Sequence, residues 1–215
     1  MEKERREGIQ VAVQIFILKC KKLLETRNPN IYMKGHQEKF SEWFTDKIPY
    51  ETKVLGKNEH PDLLIQGVGF ELKSKKGQGH IQFNSTIPSG RFKHRSGIEG
   101  ECYYGIGRYK EDRDYGQLQD FCLCYGSYFN FDYEKAHQHK NEQDHGFGDY
   151  GDGVLRYRKM YTFPSPTRDY KGISLILDSD KALDYSSELI LEKVIRKESN
   201  GAVHKFYLYR HRLLI

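Results

Sequence analysis

Long apolar runs are missing from this chain. Ile15–Leu18 is far too short to span a bilayer, and no cleavage site follows the charged start Met1-Glu-Lys-Glu-Arg-Arg. A soluble, cytoplasmic protein with no membrane partner is expected. Apolar residues are also few, at 37%, while charged residues reach 30%, so much of the chain must be surface, loop or polar groove. Cysteine is limited to Cys20, Cys102, Cys122 and Cys124. Cys122-Leu-Cys124 is too tight for a zinc knuckle and no second pair matches it, which predicts reduced, buried thiols. Internal repeats and a clean linker are absent, so residues 1–215 read as one domain. Tryptophan occurs once, yet there are 16 tyrosines, a residue that suits both cores and wet surfaces. The net charge of +5 permits a polyanionic partner without demanding one.

The apolar spacing of Ile9, Val13, Phe16, Ile17, Cys20, Leu23 and Leu24 predicts a helix over about 3–27, with Lys19, Lys21 and Lys22 off its stripe. That stripe would pack in the core or, as a second use, pair two copies. A second helix is expected over about 35–46 on Phe40, Trp43 and Phe44, followed by a polar loop over 53–60. From residue 62 the period becomes two: strand, glycine-bearing turn, strand, then a third strand at His80–Asn84. Residues 91–116 give a weak signal, 118–131 a strand or two, and 134–153 a long loop or inserted lobe. Ile173–Leu177 reads as a strand. A last hairpin spans 189–209, with its turn at Ser199-Asn-Gly201.

The hairpin over 62–73 carries the chemistry. With a turn at Gly67-Val68 or Gln66–Gly69, cross-strand partners sum to 135. Asp62 then opposes Lys73 and Leu64 opposes Glu71. Asp62, Glu71 and Lys73 share one face, and Leu63, Ile65, Phe70 and Leu72 share the other. An even register is favoured because it keeps the apolar set together. Two carboxylates and an ammonium on one face suit phosphodiester hydrolysis. Mg²⁺ takes hard oxygen ligands, here Asp62, Glu71 and the Leu72 carbonyl, and Lys73 can position a water or meet developing charge. The bland alternative is a surface salt bridge worth little.

Pro61-Asp62 followed by Glu71-Leu72-Lys73 resembles the PD-(D/E)XK nuclease superfamily. The continuation through Ser74, a Lys/Gly loop and His80-Ile-Gln-Phe-Asn84 is similar to type II restriction endonucleases, over about residues 35–90. The resemblance implies an α/β fold: a mixed sheet of about five strands flanked by helices, with a β-rich C-terminal part. It implies Asp62 and Glu71 as metal-binding acids and Lys73 as the catalytic lysine, with an acid added from the preceding helix, Glu38 before Glu42. Gln82 has the parity to face the same groove. Ser74, Lys75, Lys76 and Gln78 would lie near phosphates. Asn84, Arg91, Lys93 and Arg95 are candidates for the wider DNA surface, with Arg156–Lys159 and Arg210–Arg212 as further basic patches. The expectation is a Mg²⁺-dependent, site-specific cut in double-stranded DNA by a homodimer, with no nucleotide cofactor. A structure-specific or nicking nuclease is the alternative within the class, and a non-catalytic nucleic-acid-binding module the alternative outside it. His137, His139 and His145 give only a weak zinc signal.

Overall fold

The computed structural model describes residues 2–36, 38–55, 59–84, 86–131, 138–139, 160–199 and 201–215. A long helix, α1 (Glu2–Glu25), leads into β1 (Asn30–Met33), the short helix α2 (Lys39–Thr45) and β2 (Thr52–Val54). The hairpin β3 (Leu63–Ile65) and β4 (Val68–Lys76) follows, then β5 (His80–Asn84) and β6 (Arg91–Lys93). Two long strands, β7 (Glu99–Asp112) and β8 (Tyr115–Tyr125), form the middle of the molecule. Beyond them come β9 (Gln138–His139), β10 (Met160–Pro164), α3 (Pro166–Asp169) and β11 (Ile173–Leu177). The chain closes with the hairpin β12 (Leu189–Ser199) and β13 (Ala202–His211).

The protein is a mixed α/β fold with a β-rich C-terminal part. Its main sheet is wider than the five strands expected. Ten strands join it, in the order β12-β13-β11-β8-β7-β4-β3-β2, with β1 on β8 and β6 on β7. β4 runs parallel to β7 and β11 parallel to β8, while the other neighbours are antiparallel. The third strand, β5, does not extend this sheet: it pairs with β10 in a separate three-stranded sheet. Two short strands were not anticipated: β1 falls between the two expected helices, and β2 overlaps the start of the expected polar loop.

The two faces of the main sheet bury different clusters. On one face α1 and α2 cover Leu63, Ile65, Phe70, Leu72 and Tyr103. On the other, Ile81 and Phe83 of β5 and Phe163 of β10 cover Leu64, Cys102, Tyr104 and Ile106. Strand alternation sorts these sets. Glycines on β7 let α2 approach: a Cβ on Gly105 would stand 2.8 Å from Leu72 Cδ2, and one on Gly107 2.7 Å from Phe40 Cε2. These glycines weaken the strand signal that the surrounding tyrosines carry.

From residue 8 to 20 α1 is mostly buried, so its stripe serves the core. Lys19, placed off the stripe by spacing, is only 1% exposed. Its ammonium donates to the Asp46 carbonyl at 2.9 Å and lies 3.5 Å from the Trp43 carbonyl. It thereby satisfies acceptors at the end of α2 that lack helical partners. Burial pulls this lysine down to about 8. All four cysteines are free and buried. Among the described residues, no helix is long and apolar enough to cross a membrane.

Candidate active site

The β3–β4 turn is Gln66-Gly67, with φ of 50° and 81°. Positive φ at both central residues is the two-residue turn that matches strand twist. The ladder pairs Leu63 with Phe70, Leu64 with Gly69 and Ile65 with Val68. Partners therefore sum to 133, not 135. The register moves by two positions, so the faces survive and the partners change. One step beyond the ladder Asp62 falls opposite Glu71, rather than Lys73. Gly67-Val68 was the more obvious turn pair, but Gln66 accepts the left-handed conformation and Val68 stays in the core.

Asp62, Glu71 and Lys73 lie on the face shared with Leu64 and Tyr104. Leu72 N donates to Asp62 Oδ2 at 2.6 Å. A strand residue sends its N–H and C=O to the same edge, so the Leu72 carbonyl also turns towards Asp62. Glu71, 7% exposed, is held at both oxygens. Lys73 Nζ is 2.6 Å from Oε1, and His60 Nδ1 is 2.9 Å from Oε2. Burial raises the Asp62 carboxyl to about 6, aided by the Glu71 charge and opposed by Lys73 and the Leu72 amide. Burial also pushes Glu71 up, but hydrogen bonding and charge from His60 and Lys73 outweigh it and hold this acid below its ordinary range. For Lys73, burial pulls downwards and the two carboxylates prevail, keeping it charged.

The segment 59–62 straps these groups down. Glu59 is paired with His94 and Arg95. The His60 ring lies 6.2 Å from that of Tyr104. Pro61 sits on Gly69, where a Cβ would stand 2.8 Å from Pro61 Cγ. His60 was missed in the sequence because it falls in a stretch read as polar loop. Its position directly before Pro61-Asp62 was the one available signal.

Several other candidates lie elsewhere. Glu38 is exposed at the start of α2, and Glu42 is engaged with His36 and Lys39. The apolar face of α2 packs on Phe70 and Leu72, which puts both acids across the sheet from Asp62. Gln82 points outwards, because its neighbours Ile81 and Phe83 face the core. Ser74 and Lys76 alternate to the helix side of β4, and Lys76 pairs with Glu111. Lys75 shares the acid face and donates to the His80 carbonyl at 2.9 Å; the carbonyl of exposed Gln78 lies 3.5 Å away. Arg91 is drawn to Glu4 on α1 and to Glu101, Lys93 is exposed on β6, and Arg95 is tied to Glu59. Arg210 is held by Glu192 and two backbone carbonyls, and Arg212 donates to the Ser187 carbonyl at 2.7 Å. Asn84 belongs to β5, but its side chain lies outside the described residues, as do Arg156–Lys159, His137, His145 and the side chain of His139. A cavity of about 500 Å³, lined by Glu4, Glu7, Gln66, Glu99 and Glu101 among others, opens beside α1 and does not include the acid pair.

Among the described residues, no group of three or more His, Cys, Asp or Glu side chains is arranged to hold a metal ion. A cation at this site would rest on Asp62, Glu71, the Leu72 carbonyl and water. That all-oxygen set fits Mg²⁺, which uses one or two carboxylates and keeps its waters. Comparison with family models, curated proteins and solved structures finds no match for this chain.

Proposed function

We propose that this protein is a Mg²⁺-dependent endonuclease that hydrolyses phosphodiester bonds of double-stranded DNA at a specific short sequence, in the manner of a type II restriction enzyme, and acts as a homodimer. One observation carries the reading: Asp62 and Glu71 meet on one polar face of the β3–β4 hairpin with the Lys73 ammonium 2.6 Å from Glu71. When bound, Mg²⁺ supplies Lewis-acid polarisation of the scissile phosphodiester. Asp62, Glu71 and the Leu72 carbonyl hold it. Lys73, kept charged by the two acids, orients the attacking water and meets negative charge as it develops on the phosphate. Lys75, two residues along the same face, lies where the DNA backbone would continue. Cutting both strands with one small chain is most simply done by a two-fold pair of subunits.

The test is plasmid DNA incubated with the protein and Mg²⁺, beside the Asp62→Ala and Lys73→Ala variants. Discrete fragments from the wild type alone support the proposal. Cutting confined to branched or nicked substrates would replace it with a structure-specific nuclease. Binding without Mg²⁺-dependent cutting of any substrate would leave a nucleic-acid-binding module.

A further inference from the structure

The Glu71 carboxylate is clamped from two sides by unlike groups. Lys73 is a point charge on a long, flexible stem, and a third of its side chain is exposed. An ammonium attracts a carboxylate strongly but fixes its plane poorly. His60 is the opposite kind of partner. Its ring is short and rigid, four-fifths covered, and set beside Tyr104. The chain on either side is anchored, by Glu59 to His94 and Arg95 and by Pro61 against Gly69. A glutamate has three side-chain torsions to fix, and a directional hydrogen bond fixes them better than charge alone. A carboxylate can only accept, so in this bond His60 Nδ1 carries the proton.

We propose that His60 is a positioning residue of the active site. Its Nδ1–H holds Glu71 Oε2 and keeps the Glu71 carboxylate turned towards Asp62, where the two acids together can hold a divalent cation. Without it, the Lys73 ammonium, already 2.6 Å from Oε1, is left to hold the Glu71 carboxylate alone, and the acid turns out of the cation site. This role deepens the nuclease reading and rests on it. It needs no contact between His60 and the DNA or the cation. It is also the work of outer partners that orient metal-binding carboxylates in general.

The test uses the full-length protein and two replacements. His60→Asn keeps a donor close to the position of Nδ1, and His60→Leu removes it while filling space. Mn²⁺ binding is measured by the loss of its free-ion electron paramagnetic resonance signal, and Mg²⁺-dependent DNA cleavage is measured beside it. His60→Leu should weaken Mn²⁺ binding by about 10–100-fold, the usual loss for such partners. His60→Asn should restore most of it. In cleavage, kcat should fall in the leucine variant while metal-free DNA binding is unchanged. Wild-type Mn²⁺ affinity in His60→Leu, or a His60→Asn protein as poor as the leucine variant, would overturn the role and leave the nuclease reading standing. A wild-type protein that binds no Mn²⁺ and cuts no DNA would remove both.

Discussion

Pro61 rests on Gly69: a Cβ at position 69 would stand 2.8 Å from Pro61 Cγ and 2.8 Å from Phe92 Cδ1. This contact keeps the strap that carries His60 and Asp62 flat on β4. Gly69→Ala must therefore lift the strap or move Phe92. Overpacking of this kind costs about 1–3 kcal/mol. Chemical denaturation should show that loss, with DNA cleavage reduced beyond what the loss of folded protein explains. An alanine variant as stable and active as wild type would show that the strap can lie further from the strand.

Asp62 makes a prediction in pH. In an unfolded chain its carboxyl titrates near about 3.9, whereas in the folded protein burial and the Glu71 charge raise it to about 6. Between those values the folded state binds more protons than the unfolded state. Stability therefore falls as pH rises through this window, and the penalty stays in full above it. Asp62→Asn removes the penalty and still offers an oxygen to the Leu72 amide. Without divalent ions at pH 7.5, it should be more stable than the wild type by an amount on the order of 1–3 kcal/mol, with a correspondingly higher Tm. The gap should shrink as pH is lowered towards 4. Mg²⁺ should raise the Tm of the wild type and not of the variant. A variant less stable than wild type at neutral pH would contradict the crowded-acid picture.

The sheet separates the helical acids from the hairpin acids. Glu38→Gln, Glu42→Gln and Gln82→Ala should each cleave DNA at close to the wild-type rate, while Glu71→Gln should abolish cleavage and retain metal-free DNA binding. A large loss of kcat in Glu38→Gln would require α2 to reach around the sheet on binding DNA.

Lys75 is the cation on the acid face closest in sequence to Lys73, and its nitrogen already crosses to the His80 carbonyl. Burial and the neighbouring Arg168 charge pull it below the usual lysine range. Lys75→Ala should weaken DNA binding for all sequences alike and lower the slope of log affinity against log salt by about 1. Lys76, paired with Glu111 on the other side, should change neither. Equal effects from the two lysines would mean that DNA contacts both faces of β4.

The hairpin was legible because a period of two needs only local information. Leu63, Ile65, Phe70 and Leu72 had to share a face, and that fixed where Asp62, Glu71 and Lys73 point. The exact partners were not legible, because Gln66 at a positive φ gives no strong turn signal. Lys19 looks like a solvent residue until the carbonyls ending α2 arrive to receive it, and that is a tertiary fact. The width of the main sheet was hidden by Gly105 and Gly107, which break the β pattern on β7 so that Phe40 and Phe44 can pack. The separate pairing of β5 with β10 joins residues about eighty positions apart, and no periodicity reports such a partnership.

The bonds that assemble the acid site span little chain: 11 positions from His60 to Glu71 and 10 from Asp62 to Leu72. Closing loops of that length costs little entropy. The site is therefore a local structure supported from behind, rather than a meeting of distant segments. Opening the hairpin dismantles all of it at once, whereas fraying of the C-terminal strands leaves it whole. The Leu72 amide, held by the Asp62 side chain, is a single hydrogen whose exchange rate reports whether the site is assembled.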